Sequence, residues 1–165
     1  MTEPVSFPAL ESCEELLTDP AEWYYRQIHP QSVNEGIVDI RAFTPSSSDD
    51  RKVSGARGSK QDARGAYEEH RRDYPHRETA GTWGVTLAQV LKAKGRLVDD
   101  SECPVPAPLT RWPTGHCYLD QRIDDRTTRN KLRLTLAADA TRNVCQYPAP
   151  DDEQEPSGSQ TTSGV

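Results

Sequence analysis

Four side chains in this 165-residue chain have the types and positions that acid–base or transfer chemistry requires: Arg26, His29, Ser54 and His116. Histidine changes its charge near neutral pH. His29 ends a predicted strand directly before Pro30, and His116 lies in a Gly-His-Cys run. Two histidines near Arg or Lys can act as general acid and base in metal-independent phosphodiester cleavage, as in a ribonuclease-like enzyme. The alternative is structural: His29 hydrogen-bonds a turn, and His116 packs on a strand face.

A second set of residues overlaps the first. Arg26 on the first strand, Ser54 on the third, and Glu68 or Glu69 on the following helix occur in that chain order. This order distantly resembles ADP-ribosyltransferase-type folds. The resemblance implies that the Arg and Ser would hold NAD and that a Glu would direct transfer. Surface charge on an amphipathic helix is the competing explanation for the glutamates.

The cysteines offer ligand types that zinc prefers but not a zinc-binding spacing. Cys103, His116, Cys117 and Cys145 include no CxxC, and adjacent residues of a strand point to opposite faces. We therefore predict no metal site. The N-terminus has no basic stretch followed by an apolar run, so no export signal is expected. Together with Cys13, the four cysteines are then predicted to be free thiols, and the location cytoplasmic.

Basic residues are concentrated between positions 51 and 77, but acids are interleaved with them. A solvated surface of mixed charge is favoured, and a nucleic-acid site is the alternative. His70 and His76 lie in this hydrophilic run and are predicted to be solvated. No phosphate-binding glycine loop of the P-loop or dinucleotide type occurs, and we predict no cofactor.

Charge divides the chain into three parts. Residues 1–19 contain five acids and no base, residues 147–165 contain four acids and no base, and the remainder contains twenty bases and seventeen acids. This pattern predicts an acidic, loose N-terminal segment over 1–19, a single domain over 20–147, and a disordered acidic tail over 148–165. No stretch approaches the roughly 18 apolar residues that a membrane span requires, so no membrane partner is expected.

The elements that must position these side chains are short. Alternating or aromatic runs predict strands, and capped amphipathic runs predict helices. The result is a single small α+β domain with about five short strands and two or three helices. The predicted strands are 22–28, 37–43, 52–54, 82–85, 96–98 and 115–121; the helices are 60–72, 87–94 and 128–142, with a short one over 12–17.

Four strings, YYRQIHP (24–30), AFTPSSSDDRKVSGAR (42–57), AGTWGVT (80–86) and PTGHCYLDQ (113–121), resemble a group of small uncharacterised bacterial proteins. The resemblance implies a stand-alone bacterial domain and no particular activity. In the absence of a catalytic motif, we expect the protein to act mainly by binding another macromolecule, most simply a protein, as an accessory component of a multi-protein system. The alternative is a small enzyme acting on NAD or RNA, whose four candidate residues share a cleft if their strands are neighbours.

Overall fold

An antiparallel sheet of six strands organises the computed structural model, which describes residues 3–150. Three helices and a separate two-stranded hairpin complete a single α+β domain, as predicted. The strands are β1 Glu15–Leu16, β2 Trp23–Ile28, β3 Val33–Asn34, β4 Ile37–Val38, β5 Lys52–Arg57, β6 Gly81–Thr86, β7 Leu97–Asp99 and β8 His116–Asp120. The sheet order is β1-β7-β8-β5-β2-β6, and β3 pairs with β4. The helices are α1 Ala63–Asp73, α2 Leu87–Lys92 and α3 Arg126–Asn143.

The main core lies on one face of the sheet. Alternate residues of the strands point to this face, and they pack against Leu132, Leu136 and Ala140 of α3. Cys117 and Leu119 of β8 belong to this core. No helix in the described residues is long and apolar enough to cross a membrane.

The opposite face of the sheet is only partly covered. Helix α1 contacts β2 and β6 there, and its buried alanines, Ala63 and Ala66, lie outside the main core. The side chain of Asp62 caps this helix by accepting a hydrogen bond from the N–H of Gly65 at 2.7 Å. Because α1 does not extend over β5 and β8, the polar side chains of those two strands remain available on this face.

The predicted strand over residues 37–43 is wrong in its second half. Within this segment only Ile37–Val38 forms a strand, and Ile40–Phe43 forms a 3₁₀ turn. Asp39 starts this turn, since its carboxylate accepts a hydrogen bond from the N–H of Arg41 at 2.8 Å. Ala42 and Phe43 are both buried, which a strand with one polar face would not allow. Local side-chain capping therefore overrides the partial alternation.

The N-terminal segment is part of the fold. In place of the short helix predicted over 12–17, β1 forms the edge of the sheet beside β7, and Leu17 is buried in the core. A disulfide joins Cys13 to Cys103, with their Cα atoms 5.0 Å apart. The expectation of a loose segment is therefore wrong for these residues, and the expectation of four free thiols is wrong for two of them. The predicted disordered tail over 148–165 lies outside the described residues apart from 148–150.

Candidate functional site

A groove of about 1330 Å³ crosses the partly open face of the sheet. Its floor is formed by β5 and β8, one wall by α1, and the other wall by the proline-rich loop of residues 104–114. The two walls are joined where Arg111 contacts Asp73 at 2.7 Å and where Glu69 accepts two hydrogen bonds from Thr114. All four residues singled out from the sequence line this groove: Arg26, His29, Ser54 and His116.

Strand register brings Ser54 and His116 to the same part of the floor. Ser54 pairs with Tyr118, and Ala56 pairs with His116, so Ser54 and His116 are diagonal neighbours on one face. Diagonal neighbours lie roughly 7–8 Å apart at Cα, within reach of a long side chain. The equivalent diagonal pair is in contact, because the ammonium of Lys52 lies 4.8 Å from the centre of the Tyr118 ring.

His116 is held on two sides. Its Nδ1 lies 2.6 Å from a carboxylate oxygen of Asp100, and both side chains are almost completely buried. The indole of Trp112 stacks on the imidazole with ring centres 4.3 Å apart. Trp112 is itself fixed, because its N–H donates to the carbonyl of Cys103 at 2.8 Å. Within residues 3–150, Nε2 of His116 has no hydrogen-bond partner, although the residue lines the groove.

A buried ion network fixes the chain next to Asp100. The guanidinium of Arg57 contacts Asp99 at 2.7 Å and Glu22 at 3.1 Å. Burial raises the pKa of Asp99, but hydrogen bonds from Ser101 and Arg57 outweigh this effect and hold the pKa below its ordinary value. Asp99 is therefore a fixed anion, and the carboxylate of the adjacent Asp100 is presented to the imidazole.

Arg26 is engaged with the backbone. Its Nε and Nη2 donate to the carbonyl of Ala42 at 3.2 and 3.1 Å, and its Nη1 donates to the carbonyl of Ser54. Strands β2 and β5 pair only at Tyr24 and Tyr25, so beyond this point the carbonyls of β5 require other donors. Arg26 supplies one and the hydroxyl of Tyr24 supplies another. Arg26 thus bridges a split in the sheet at the edge of the groove.

His29 has the structural role that the sequence allowed for it. Its Nδ1 accepts a hydrogen bond from the N–H of Gln31 at 3.1 Å and so caps the 3₁₀ turn Pro30–Ser32. Its Nε2 lies 3.5 Å from the carboxylate of Glu78, which is exposed. His29 and His116 both line the groove, yet neither contacts the other through a hydrogen bond.

The two glutamates of α1 point to different places. Glu69 lines the groove, and its carboxylate is taken by Thr114. Glu68 is exposed outside the groove lining and pairs with Arg64 at 2.8 Å. The structure thus brings Arg26, Ser54 and Glu69 to one groove, with the arginine and the glutamate committed to protein partners.

Two further polar atoms of the groove were not selected from the sequence, one on helix α1 and one on Gln61, just before the helix. Nε2 of His70 and Oε1 of Gln61 are buried without a hydrogen-bond partner among the described residues. His70 is half-buried and not solvated as expected, and burial, followed by the nearby charge of Arg77, lowers its pKa. The spacing of Ala63, Ala66 and His70 on one helical face was the available signal.

Neither remaining thiol is placed to act as a nucleophile in this groove. Cys117 is buried on the core face, opposite to His116, and burial raises the pKa of its thiol well above the ordinary value. Cys145 lies near the carbonyl of Thr82 at 3.7 Å and does not line the groove. Within residues 3–150, the only His, Cys, Asp and Glu side chains grouped closely enough to hold a metal are Glu11, Cys13 and Cys103, and both sulfurs are in the disulfide.

Comparison of the chain with protein-family models, with curated proteins and with solved structures finds no match.

Proposed function

We propose that this protein binds an extended segment of another protein in the groove over β5 and β8. The observation that carries the proposal is the groove itself. Its volume of about 1330 Å³ exceeds the roughly 300–1,000 Å³ of most small-molecule cavities. A short stretch of polypeptide chain is an occupant of suitable size and shape.

The groove lining supports a peptide ligand. The lining includes aromatic rings, both signs of charge and exposed hydroxyls, which suits a chain with mixed side chains. The unpaired Oε1 of Gln61 requires a donor, and the unpaired Nε2 of His70 can donate or accept. Peptide N–H and C=O groups supply both, and buried polar atoms are usually paired in native complexes.

The charge of the lining argues against a nucleic-acid ligand. Five acids and three bases line the groove, so the local charge is not one that would neutralise phosphates. The acids are Asp49, Asp50, Glu69, Glu78 and Asp100, and the bases are Arg26, Lys52 and Arg77. A protein partner therefore fits the groove better than RNA or DNA does.

A displayed library of linear peptides, selected on the full chain, tests this proposal. Selected peptides should quench or enhance the fluorescence of Trp112, and Ser54→Arg should weaken their binding at least about tenfold by placing a long cation across the floor. Leu91→Arg, at an exposed position of α2, is the matched control and should bind as the wild type does. Selection of no peptide, or peptides insensitive to Ser54→Arg, contradicts the proposal; preferential binding of an RNA oligonucleotide replaces it.

The Asp100–His116 pair favours a second candidate, a small enzyme acting on NAD or RNA. A buried carboxylate that holds an imidazole nitrogen is a common way to orient a general base. Thermal-shift measurements with NAD and with short RNAs test this candidate. A stabilisation that disappears in His116→Asn supports it, whereas no shift with either ligand counts against it.

A further inference from the structure

We propose that Ser54, His116 and Asp100 form a nucleophile, base and positioning set that transfers acyl groups from carboxylic esters. The proposal goes beyond peptide binding and does not require it. Its basis is the arrangement of three groups on the floor of the groove: a buried carboxylate, an imidazole in contact with it, and an exposed hydroxyl on the diagonal neighbour of that histidine.

The first contact fixes the imidazole. With a carboxylate oxygen of Asp100 at 2.6 Å from Nδ1, the proton of the neutral ring resides on Nδ1, and the lone pair is left on Nε2. The stacked indole of Trp112 prevents the ring from turning away. Nε2 of His116 has no hydrogen-bond partner within residues 3–150, and His116 lines the groove, so this nitrogen is available to a bound molecule.

The second element of the set is the hydroxyl of Ser54, which lies on the same face of the sheet as His116, on its diagonal neighbour. This residue is exposed on the floor, and its backbone is held on both sides by Arg26 and by the pairing with Tyr118. Its side chain lies across the same kind of diagonal that brings Lys52 onto the ring of Tyr118. Catalytic hydrogen bonds of this type are often longer in the absence of substrate and close when it binds.

The proposed reaction is the hydrolysis of an ester through an acyl-serine, and water is the only other reagent that it requires. Oγ of Ser54 forms a bond to the ester carbonyl carbon while Nε2 of His116 takes the hydroxyl proton. The carbon–oxygen bond to the alcohol breaks, and the proton passes from His116 to the departing oxygen. Water then attacks the acyl-serine with the same base, which releases the carboxylic acid and restores Ser54.

A fluorophosphonate probe tests the set on the full chain without knowledge of the natural ester. Oγ of Ser54 bonds to phosphorus, fluoride leaves, and the adduct is counted by intact mass and located by peptide mapping. We expect one adduct, on Ser54, absent in Ser54→Ala and formed at least about tenfold more slowly in His116→Asn and Asp100→Asn. Ser47→Ala, at an exposed serine outside the groove lining, should label as the wild type does.

Asp100 acts through His116, so its test includes a second readout. Nitrogen-15 NMR of the imidazole should show the proton on Nδ1 in the wild type and a mixture of tautomers in Asp100→Asn, with thermal unfolding confirming that the variant is folded. An unlabelled wild type, or labelling retained in Ser54→Ala, overturns the proposal. Either result leaves the peptide-binding groove untouched, because the peptide selection does not depend on the reactivity of Ser54.

Discussion

Individual residues of the same type have different roles here, and their hydrogen-bond partners separate them. Arg26 and His29 use their polar atoms on nearby backbone, whereas Ser54 and His116 present theirs to the groove. When an arginine or histidine side chain is hydrogen-bonded to a backbone carbonyl or N–H, it stabilises the local fold. Removal of that side chain leaves the backbone group unpaired. Position beside a groove is therefore a weaker indication of chemistry than a free polar atom directed into it.

Replacement of Arg26 should reveal its structural role. In Arg26→Ala the carbonyl of Ala42 loses its guanidinium donors and that of Ser54 keeps only the hydroxyl of Tyr24, so the free energy of unfolding should fall by roughly 1–3 kcal/mol in urea titrations. Arg64→Ala is the control, since Arg64 is exposed on the helix surface, where it pairs with exposed Glu68 and lies 5.9 Å from the centre of the Tyr147 ring, and it should change little. Unaltered stability in Arg26→Ala would show that the arginine is held for another purpose.

Asp120 should make the fold sensitive to acid. Its carboxylate is completely buried between Arg96 at 2.8 Å and Arg122 at 2.9 Å. Burial raises its pKa, but hydrogen bonds from the two arginines outweigh this and hold the pKa below the ordinary value. The unfolded chain therefore binds the proton more tightly, so stability is present at neutral pH and is lost as the pH falls below about 4.

The midpoint of thermal unfolding, measured from pH 7 to pH 2, tests this assignment. Asp120→Asn should lower the stability at neutral pH by about 3–5 kcal/mol, because two buried guanidinium groups lose their anion. The variant should also lose less stability on acidification than the wild type does. A parallel decline in both proteins would assign the acid sensitivity to other carboxylates, such as Glu22 and Asp99.

At the scale of secondary structure, the split between β2 and β5 depends on a glycine. A Cβ atom added to Gly55 would lie 2.2 Å from the ring of Tyr24, which is completely buried and donates to the carbonyl of Val53. Gly55→Ala should therefore destabilise the protein by roughly 1–3 kcal/mol through overpacking, measured by urea unfolding. Ser54→Ala, one residue earlier and exposed, should be close to neutral, and equal effects of the two substitutions would contradict this explanation.

Secondary-structure elements that show a hydrophobic or capping pattern over several consecutive residues were predictable from the sequence. The aromatic run that became β2 and the capped stretches that became α1, α2 and α3 were placed correctly, as was the strand that carries His116. The two-residue strand β1 and the 3₁₀ turn Ile40–Phe43 were not, because the first depends on a distant partner and the second on one side-chain cap. Asp100 was missed because, like β1, it depends on a partner that is distant in sequence: only the fold brings this loop residue to His116.

At the scale of the whole molecule, the uneven charge of the sequence reflects an internal contact. The acidic N-terminal segment lies against the basic body: Glu14 contacts Lys52 at 3.7 Å, and Arg96 lies over the ring of Phe7 and donates to the carbonyl of Pro8. Complementary charge between parts of one chain favours their association. The described part of this segment, residues 3–19, is therefore not a unit that is free to screen or engage a partner.

The Cys13–Cys103 disulfide connects this segment to the wall of the groove, so its removal should affect both. Cys103 begins the loop that carries Trp112, and its carbonyl accepts the hydrogen bond from the indole. The double variant Cys13→Ser with Cys103→Ser should lose roughly 2–5 kcal/mol of unfolding free energy, since a long loop is no longer closed. Amide exchange at Leu17, whose N–H donates to the carbonyl of Leu97, should accelerate more than exchange in α3.

Cys145→Ser is the matched control, because Cys145 is outside the disulfide and should leave both measurements close to those of the wild type. If the double variant instead keeps full stability and protection at Leu17, β1 is held by its pairing with β7 and by Arg96 alone. Fluorescence emission of Trp112 reports on the wall of the groove. If amide protection at Leu17 is lost while the Trp112 emission is unchanged, the loop keeps its place without the N-terminal segment. Only a loss of Leu17 protection together with a change in Trp112 emission establishes that one covalent bond supports both the edge of the sheet and the wall of the groove.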